Sequence, residues 1–315
     1  MRIHPGLSLS AGRLSGGAVA IGNFDGVHLG HRALLDRCVL RSPAAVLTFE
    51  PHPARLLAPA YAPQLICTRS RKQELLSACG VTDLIEQPFD RAFASTEAGA
   101  FVEALIATGV AEVIVGHDFT YGANRAGTVD SLRLGLEEQG VRLQIVPPVT
   151  VSGLVVSSTK IREFTLAGRV EAAASLLGRQ FDLDGVVVRG AGRGRKLGWP
   201  TANIHTENEL LPAVGVYAVR AKLRMGEEWE PALGGAANLG LNPTFREGSA
   251  QAGGPGKPQL MLEIHLFDLD RDLYGATLRV AFVQRLREER RFPGPDALKA
   301  QIARDVDEAR RLLAS

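Results

Sequence analysis

The sequence predicts an α/β domain built on a parallel sheet, followed by a small antiparallel β-barrel with a closing helix. Three observations predict it. From residue 17 to about 150, short apolar runs alternate with helix-like stretches, the rhythm of a parallel sheet covered by helices. Beyond Phe181 the apolar period becomes two, the mark of half-buried strands. The chain has 315 residues, which at roughly 150 per domain is a prior for two domains.

Taken in order, strands are expected at Val19-Ala20-Ile21, Ala45-Val46-Leu47, Leu84-Ile85, Val113-Ile114-Val115 and Leu143 to Val146. Helical stretches at 29–40, 71–79, 97–108 and 129–139 separate them. Two more helices are expected at 158–167 and 170–178, the second stopped by Gly178. In 216–224, Tyr217, Val219, Ala221 and Leu223 alternate with Ala218, Arg220, Lys222 and Arg224. In 260–267, Leu260, Leu262, Ile264 and Leu266 alternate with Met261, Glu263, His265 and Phe267. Both read as antiparallel strands of a small barrel. A helix after Pro295 aligns Leu298, Ile302, Val306 and Leu313 on one face that would cover the barrel. The stretch GSAQAGGPGKP, 248–258, is a flexible loop by composition. The boundary is placed near 181, giving domains 1–181 and 182–315, with no internal repeat.

Hydrophobic residues make up 45% and charged residues 22%, so neither a disordered nor a fibrous chain is supported. The 36 Lys and Arg against 34 Asp and Glu leave a net charge of +2, too balanced for bulk nucleic-acid or membrane-surface binding. An anionic ligand must therefore be gripped locally. Cys38, Cys67 and Cys79 lack CxxC spacing, which argues against a disulfide framework or a structural zinc and favours a reducing cytoplasm. No apolar run approaches the ~20 residues of a membrane span, and the start MRIHPGLSLSAGRLSGG has no secretory apolar core.

Two constellations carry chemistry. In AIGNFDGVHLGHRALL, 20–35, a strand runs through glycine-rich turn chemistry into a helix. His28 and His31, three apart at the helix start, share a face where N–H groups and the dipole favour anions. Gly22, Gly26 and Gly30 would let backbone approach a ligand. Taken alone the pair could be ordinary turn residues, or a zinc pair needing His52 or His117-Asp118 as further ligands. The second constellation, GAGRGRKLGWPTAN at 190–203, joins glycines to Arg193, Arg195 and Lys196, a composition able to wrap phosphates without Walker A spacing. By composition it could equally be a solvated basic turn or a weak RNA contact.

GNFDGVHLGH resembles the HxGH signature of the nucleotidylyltransferase superfamily in its prokaryotic FAD synthetase form. TFEPHP at 48–53, VGHDFTYG at 115–122 and VSSTKIREF at 156–164 continue the resemblance in order. It implies a Rossmann-like domain that adenylylates FMN, with His28 and His31 catalytic. ATP phosphates would be held by Gly22, Asn23, Phe24, Asp25, Gly26, Ser157, Ser158, Thr159 and Arg162. Phe49, Pro51, His52, Pro53, Asp118 and Phe119 would form a flavin or nucleotide pocket. One departure is His117, where the family commonly has an acidic residue.

PTAN at 200–203, Gly215-Val216-Tyr217, AANLGLNPTF at 236–245, LEIHLFD at 262–268, Asp272-Leu273-Tyr274-Gly275 and FVQRLREERRF at 282–292 resemble, in that order, the riboflavin kinase domain. The resemblance implies that Gly192, Gly194, Arg195, Lys196, Gly198, Thr201 and Asn203 bind ATP, with Thr201 and Asn203 as ligands of Mg2+. Glu263 is matched to the catalytic base; without the motif a solvated strand carboxylate would be the plainer reading. The whole chain thus resembles the bifunctional riboflavin kinase/FAD synthetases, which implies ATP, riboflavin and FMN as substrates. Small molecules are the expected partners, with no nucleic acid and no membrane, and a homo-oligomer is left open. The rivals are a chain with one working activity and a flavin-binding second domain, and a non-catalytic flavin or RNA-binding regulator. The low net charge and the absence of an RNP-type aromatic motif weigh against the last.

Overall fold

A computed structural model describes residues 1–190, 198–226, 228–242 and 259–314. The basic stretch 191–197 and the loop 248–258 lie outside the described residues. Contacts divide the chain into two compact units, Met1–Ser158 and Thr159–Ser315.

In the first unit, strands β1 (Arg2–His4), β2 (Ala18–Ile21), β3 (Ala44–Glu50), β4 (Asp83–Pro88), β5 (Glu112–Gly116) and β6 (Arg142–Val146) form a parallel sheet in the order β1-β4-β3-β2-β5-β6. Helices α1 (Leu29–Cys38), α2 (Pro53–Leu57), α3 (Arg69–Ala78), α4 (Arg91–Ala94), α5 (Ala98–Ala107) and α6 (Val129–Glu137) connect them, and a short hairpin, β7 (Thr150–Val151) with β8 (Leu154–Val155), follows. Strand β2 is apolar at every position, and β3 and β5 are apolar along 44–47 and 113–115, because both faces are covered there. Val19, Ile21, Leu47, Val113 and Val115 pack with Leu105 and Leu132 on one side. Ala18, Ala20, Val46 and Ile114 pack with Leu35 and Leu76 on the other, the period-two alternation of a strand.

Strand β1 has no apolar signal in the sequence. It pairs with β4, and Arg2 and His4 donate to Asp83 at 2.9 and 2.7 Å while the Thr82 hydroxyl donates at 2.8 Å. Sheet order reverses beside β2, whose neighbours are β3 and β5. In open sheets the crevice beyond the carboxyl ends at such a reversal is where ligands bind.

α7 (Ser158–Leu166) begins at the last residue of the first unit, and α8 (Val170–Leu177) lies in the second. Gly178 ends α8 with φ 70°, the left-handed cap that glycine adopts at least cost. Strands β9 (Phe181–Val188), β10 (Ala202–Thr206), β11 (Gly215–Arg224), β12 (Leu233–Asn242), β13 (Gln259–Leu266) and β14 (Thr277–Arg287) close an antiparallel barrel in the order β10-β13-β12-β11-β14-β9. Its interior is filled by Leu183, Ile204, Tyr217, Leu262, Ile264 and Phe282, all buried. Two expectations about faces need correction. Leu260, at the start of β13, is 38% exposed rather than inside, and Ala218, on the outer face, is fully buried. The second has a clear cause: the terminal helix α9 (Pro295–Ala314) lays Val306 and Ala309 on it. Asp305 of α9, 4% exposed, accepts two hydrogen bonds from Arg287 of β14 at 3.0 and 2.7 Å, and one from Gln301 at 2.7 Å. Ile302 and Leu313 pack there as expected, while Leu298 is half-buried at the start of the helix.

Candidate functional sites

Beyond β2, the loop 22–28 turns sharply into α1. Phe24 and the β-branched Val27 have φ of 49° and 39°, a left-handed conformation such residues adopt only at a cost. Packing holds them there: Phe24 is fully buried and Val27 is 3% exposed. Asp25, 4% exposed, accepts the Ile66 N–H at 2.9 Å, and its carbonyl accepts the Ser158 hydroxyl at 3.1 Å.

His28 caps α1 and engages His31 reciprocally. The His31 N–H donates to His28 Nδ1 at 3.2 Å, and the His28 N–H donates to His31 Nδ1 at 3.3 Å. The two rings stack with centroids 3.6 Å apart. Gly30 permits this, since a Cβ there would meet the His28 ring at 3.1 Å. With both Nδ1 atoms accepting, each neutral ring carries its proton on Nε2. The pair is thus set as two N–H donors at a helix N-terminus, an arrangement complementary to phosphate oxygens.

Phe49 ends β3; His52 caps α2, its Nδ1 accepting the Ala54 N–H at 3.2 Å, with Pro51 before it and Pro53 opening the helix. Asn23, Asp25, Phe49 and His52 line one small pocket with Arg69 and Lys72. Those two cations are absent from the candidates drawn from the sequence, although Thr68 followed by Arg-Ser-Arg-Lys is a readable basic helix start. Thr68 accepts the Arg71 N–H at 3.3 Å as cap. Arg69 grips Glu86 with Nε at 3.0 Å, and Gln73 adds a bond at 3.0 Å. Burial raises the Glu86 carboxyl, but these hydrogen bonds outweigh it and hold it below the ordinary carboxylate range. Lys72, only 8% exposed, has Glu50 at 4.0 Å.

Asp118 and Phe119 follow β5 at the same edge of the sheet. Asp118 is exposed and lies 3.9 Å from His117, while Phe119 stacks on Tyr121. Ser158 opens α7, with Ser157 before it, Thr159 next and Arg162 one turn on. Among the described residues no group of three or more His, Cys, Asp or Glu side chains is placed to hold a metal ion.

In the second unit, strand register assembles a polar row on the outer wall of the barrel. Glu263 of β13 stands opposite Asn203 of β10 and opposite Asn238 of β12. Directly opposed residues share a face, with Cβ atoms about 5 Å apart. Asn203 is 8% exposed because the backbone of Gly190 lies over it: a Cβ on that glycine would fall 2.1 Å from Asn203 Nδ2. Thr201, two residues before Asn203, lines an open cleft with Val187, Ile264, Asp272 and Tyr274. His265 fixes this segment, its Nδ1 lying 2.9 Å from the Pro200 carbonyl and its ring edge-on to Trp199. Gly198 is exposed with φ 89°. Gly192, Gly194, Arg195 and Lys196 lie outside the described residues.

Known proteins carry both halves together. A Pseudomonas fluorescens bifunctional riboflavin kinase/FMN adenylyltransferase is 38% identical over 306 residues, 95% of this chain and 94% of that protein. The chain belongs to that family. The protein of the same description from Escherichia coli (strain K12) is 37% identical over 310 residues, covering 96% of this chain and 95% of that one. Family models agree half by half: FAD synthetase matches residues 11–160 and riboflavin kinase matches 177–313. A solved structure described as a macrolide-efflux protein from Streptococcus pneumoniae superposes with a TM-score of 0.85 at 30% identity, covering 98% of this chain and 99% of that one. Efflux is said of that protein alone; among the described residues here no helix is long and apolar enough to cross a membrane.

Proposed function

We infer that this family member makes FAD from riboflavin by two successive phosphorus transfers. The kinase domain, assigned to 182–315, moves the γ-phosphoryl group of ATP to the 5′-hydroxyl of riboflavin, giving FMN and ADP. The adenylyltransferase domain, assigned to 1–181, joins AMP from a second ATP to the FMN phosphate and releases pyrophosphate. The two family matches leave 161–176 unassigned, and the barrel itself begins at Phe181.

The observation that carries the reading is the contrast in what the two sites offer. An alcohol must lose a proton as it attacks, and Glu263 supplies a carboxylate beside Asn203 for that role. A phosphate is already an anionic nucleophile, and His28 and His31 supply two Nε2–H donors rather than a base. Ser157, Ser158, Thr159 and Arg162 add hydroxyl, N–H and guanidinium donors toward the ATP phosphates. Gly22, Asn23, Phe24, Asp25 and Gly26 give the turn its close approach, and the Phe49, Pro51, His52, Pro53, Asp118 and Phe119 group takes the flavin or nucleotide.

Thr201 and Asn203 offer two neutral oxygen donors, which suits Mg2+ arriving with ATP and keeping phosphate and water ligands. When bound, Mg2+ neutralises charge on the phosphates. Gly192, Gly194, Arg195, Lys196 and Gly198 supply the backbone and cationic contacts of the same nucleotide. The cysteines Cys38, Cys67 and Cys79 fit a reducing cytoplasm. Small molecules suffice as partners, and we assign no nucleic acid.

A chromatographic time course with riboflavin, ATP and Mg2+ tests the reading. FMN should appear first and FAD after it; absence of FMN from riboflavin, or of FAD from FMN, would remove the corresponding half.

A further inference from the structure

We propose that Asn238 and Glu289 hold the hydroxylated chain of the acceptor alcohol in the kinase site, placing acceptor and nucleotide on opposite sides of Glu263. The inference rests on the kinase reading above.

The row across the barrel wall runs Asn203, Glu263, Asn238 on three adjacent strands. Its two ends differ. At the Asn203 end, Gly190 presses on the carboxamide and leads into the glycine- and arginine-rich stretch, and Thr201 precedes. That end belongs to phosphates. At the Asn238 end the next residue in register, Val216, is apolar and 6% exposed, so the polar strip stops there. Glu289, from the segment after β14, reaches over β12 at Gly240. A Cβ built on Gly240 would meet Glu289 Oε1 at 2.6 Å and Asn238 Nδ2 at 3.1 Å, so carboxylate and carboxamide converge over bare backbone.

The chemistry of this end selects its ligand. Two carboxylates, Glu263 and Glu289, repel phosphate. A carboxamide gives and accepts hydrogen bonds and a carboxylate accepts them, which matches vicinal hydroxyls that do both. A polyol chain held by Asn238 and Glu289 delivers its terminal hydroxyl to Glu263, with the transferring group beyond it toward Asn203. The row thereby orders acceptor, base and donor along one line.

Steady-state kinase kinetics of the full chain test this. Asn238→Ala should raise the KM for riboflavin about tenfold, the effect of one hydroxyl left without its partner. The KM for ATP and the conversion of FMN to FAD should stay as they were. Asn238→Ser, which keeps a donor and acceptor, should recover part of the loss. A riboflavin analogue lacking one secondary hydroxyl of the side chain should bind wild type more weakly and be indifferent to Asn238→Ala. Glu289→Ala, at an exposed position, should show the same split and keeps the test alive should Asn238→Ala fold poorly. Unchanged riboflavin KM in both alanine variants, or an equal rise in the KM for ATP, would overturn the assignment. A wild-type chain that makes no FMN would instead sink the kinase reading itself.

Discussion

In the first unit the candidate side chains are fixed by backbone hydrogen bonds at a helix start, whereas in the second they are fixed by strand register on a barrel wall. The helix start gathers donors: His28 and His31 have their Nδ1 atoms occupied and present N–H groups. The wall gathers an acceptor between two amides, Glu263 between Asn203 and Asn238. Each scaffold suits what its reaction lacks. A phosphate attacking a phosphate needs charge drawn off, and an alcohol attacking a phosphate needs a proton taken.

The largest effect that would break this comparison comes from Glu263→Gln. Riboflavin phosphorylation should fall on the order of 10²–10⁴-fold, the usual weight of a general base, while FMN is still adenylylated. Kinase turnover at the normal rate would remove Glu263 as base. Next comes His28→Ala or His31→Ala. Each deletes a preorganised donor, so FAD formation from FMN should drop on the order of 10²–10³-fold with FMN formation nearly intact. A folded variant losing both activities equally would refute the division of labour.

Stability should divide along the same line. Asp305 is buried beside Gln301 and paired with the half-buried Arg287, so Asp305→Ala leaves that guanidinium without its carboxylate and should cost the barrel about 3 kcal/mol. Thermal unfolding would show it, with FMN adenylylation surviving below the new midpoint. In the sheet unit the counterpart is Asp83, whose side chain is 1% exposed. Burial raises its carboxyl, yet hydrogen bonds from Arg2, His4 and Thr82 outweigh that and hold it below the ordinary value. A folded-state value lower than the unfolded one means stability that is present above about pH 4 and lost as pH falls through the folded value. Asp83→Asn should therefore cost about 2 kcal/mol at neutral pH, with the gap to wild type closing in acid. A constant gap across that range would show that Asp83 acts through shape alone.

The parallel sheet, its helices and the loop 20–35 were legible because both code locally: continuous apolar runs, and a turn whose glycines and histidines sit within a dozen residues. The expected strand residues 19–21, 45–47, 84–85 and 113–115 all lie in observed strands. Strand β1 was not legible, since Arg2 and His4 reach Asp83 across 81 and 79 positions and the segment carries no alternation. Arg69 and Lys72 were missed for a related reason: a basic helix start reads as solvated surface until Asn23 and His52 are seen to share its pocket. Glu263 could be placed opposite the apolar face of its strand, but its flanking by Asn203 and Asn238 depends on register, which is set between strands far apart in the chain.

The smallest effect bears on how the helix-start site is held. Val27 keeps a left-handed backbone, φ 39°, and is 3% exposed, so strain and packing oppose each other at one residue. Val27→Gly removes the strain, about 1–2 kcal/mol, and also the buried side chain, worth about 1.5 kcal/mol or more. The two nearly cancel, so thermal stability should stay within a few degrees of wild type. Val27→Ala loses the packing and keeps the strain, and should be the less stable variant. If strain serves to set His28 and His31, Val27→Gly should still slow FAD formation severalfold at unchanged stability. Full adenylylation activity in that variant would mean that the reciprocal capping of the two histidines is sufficient to hold the donors without the strained turn.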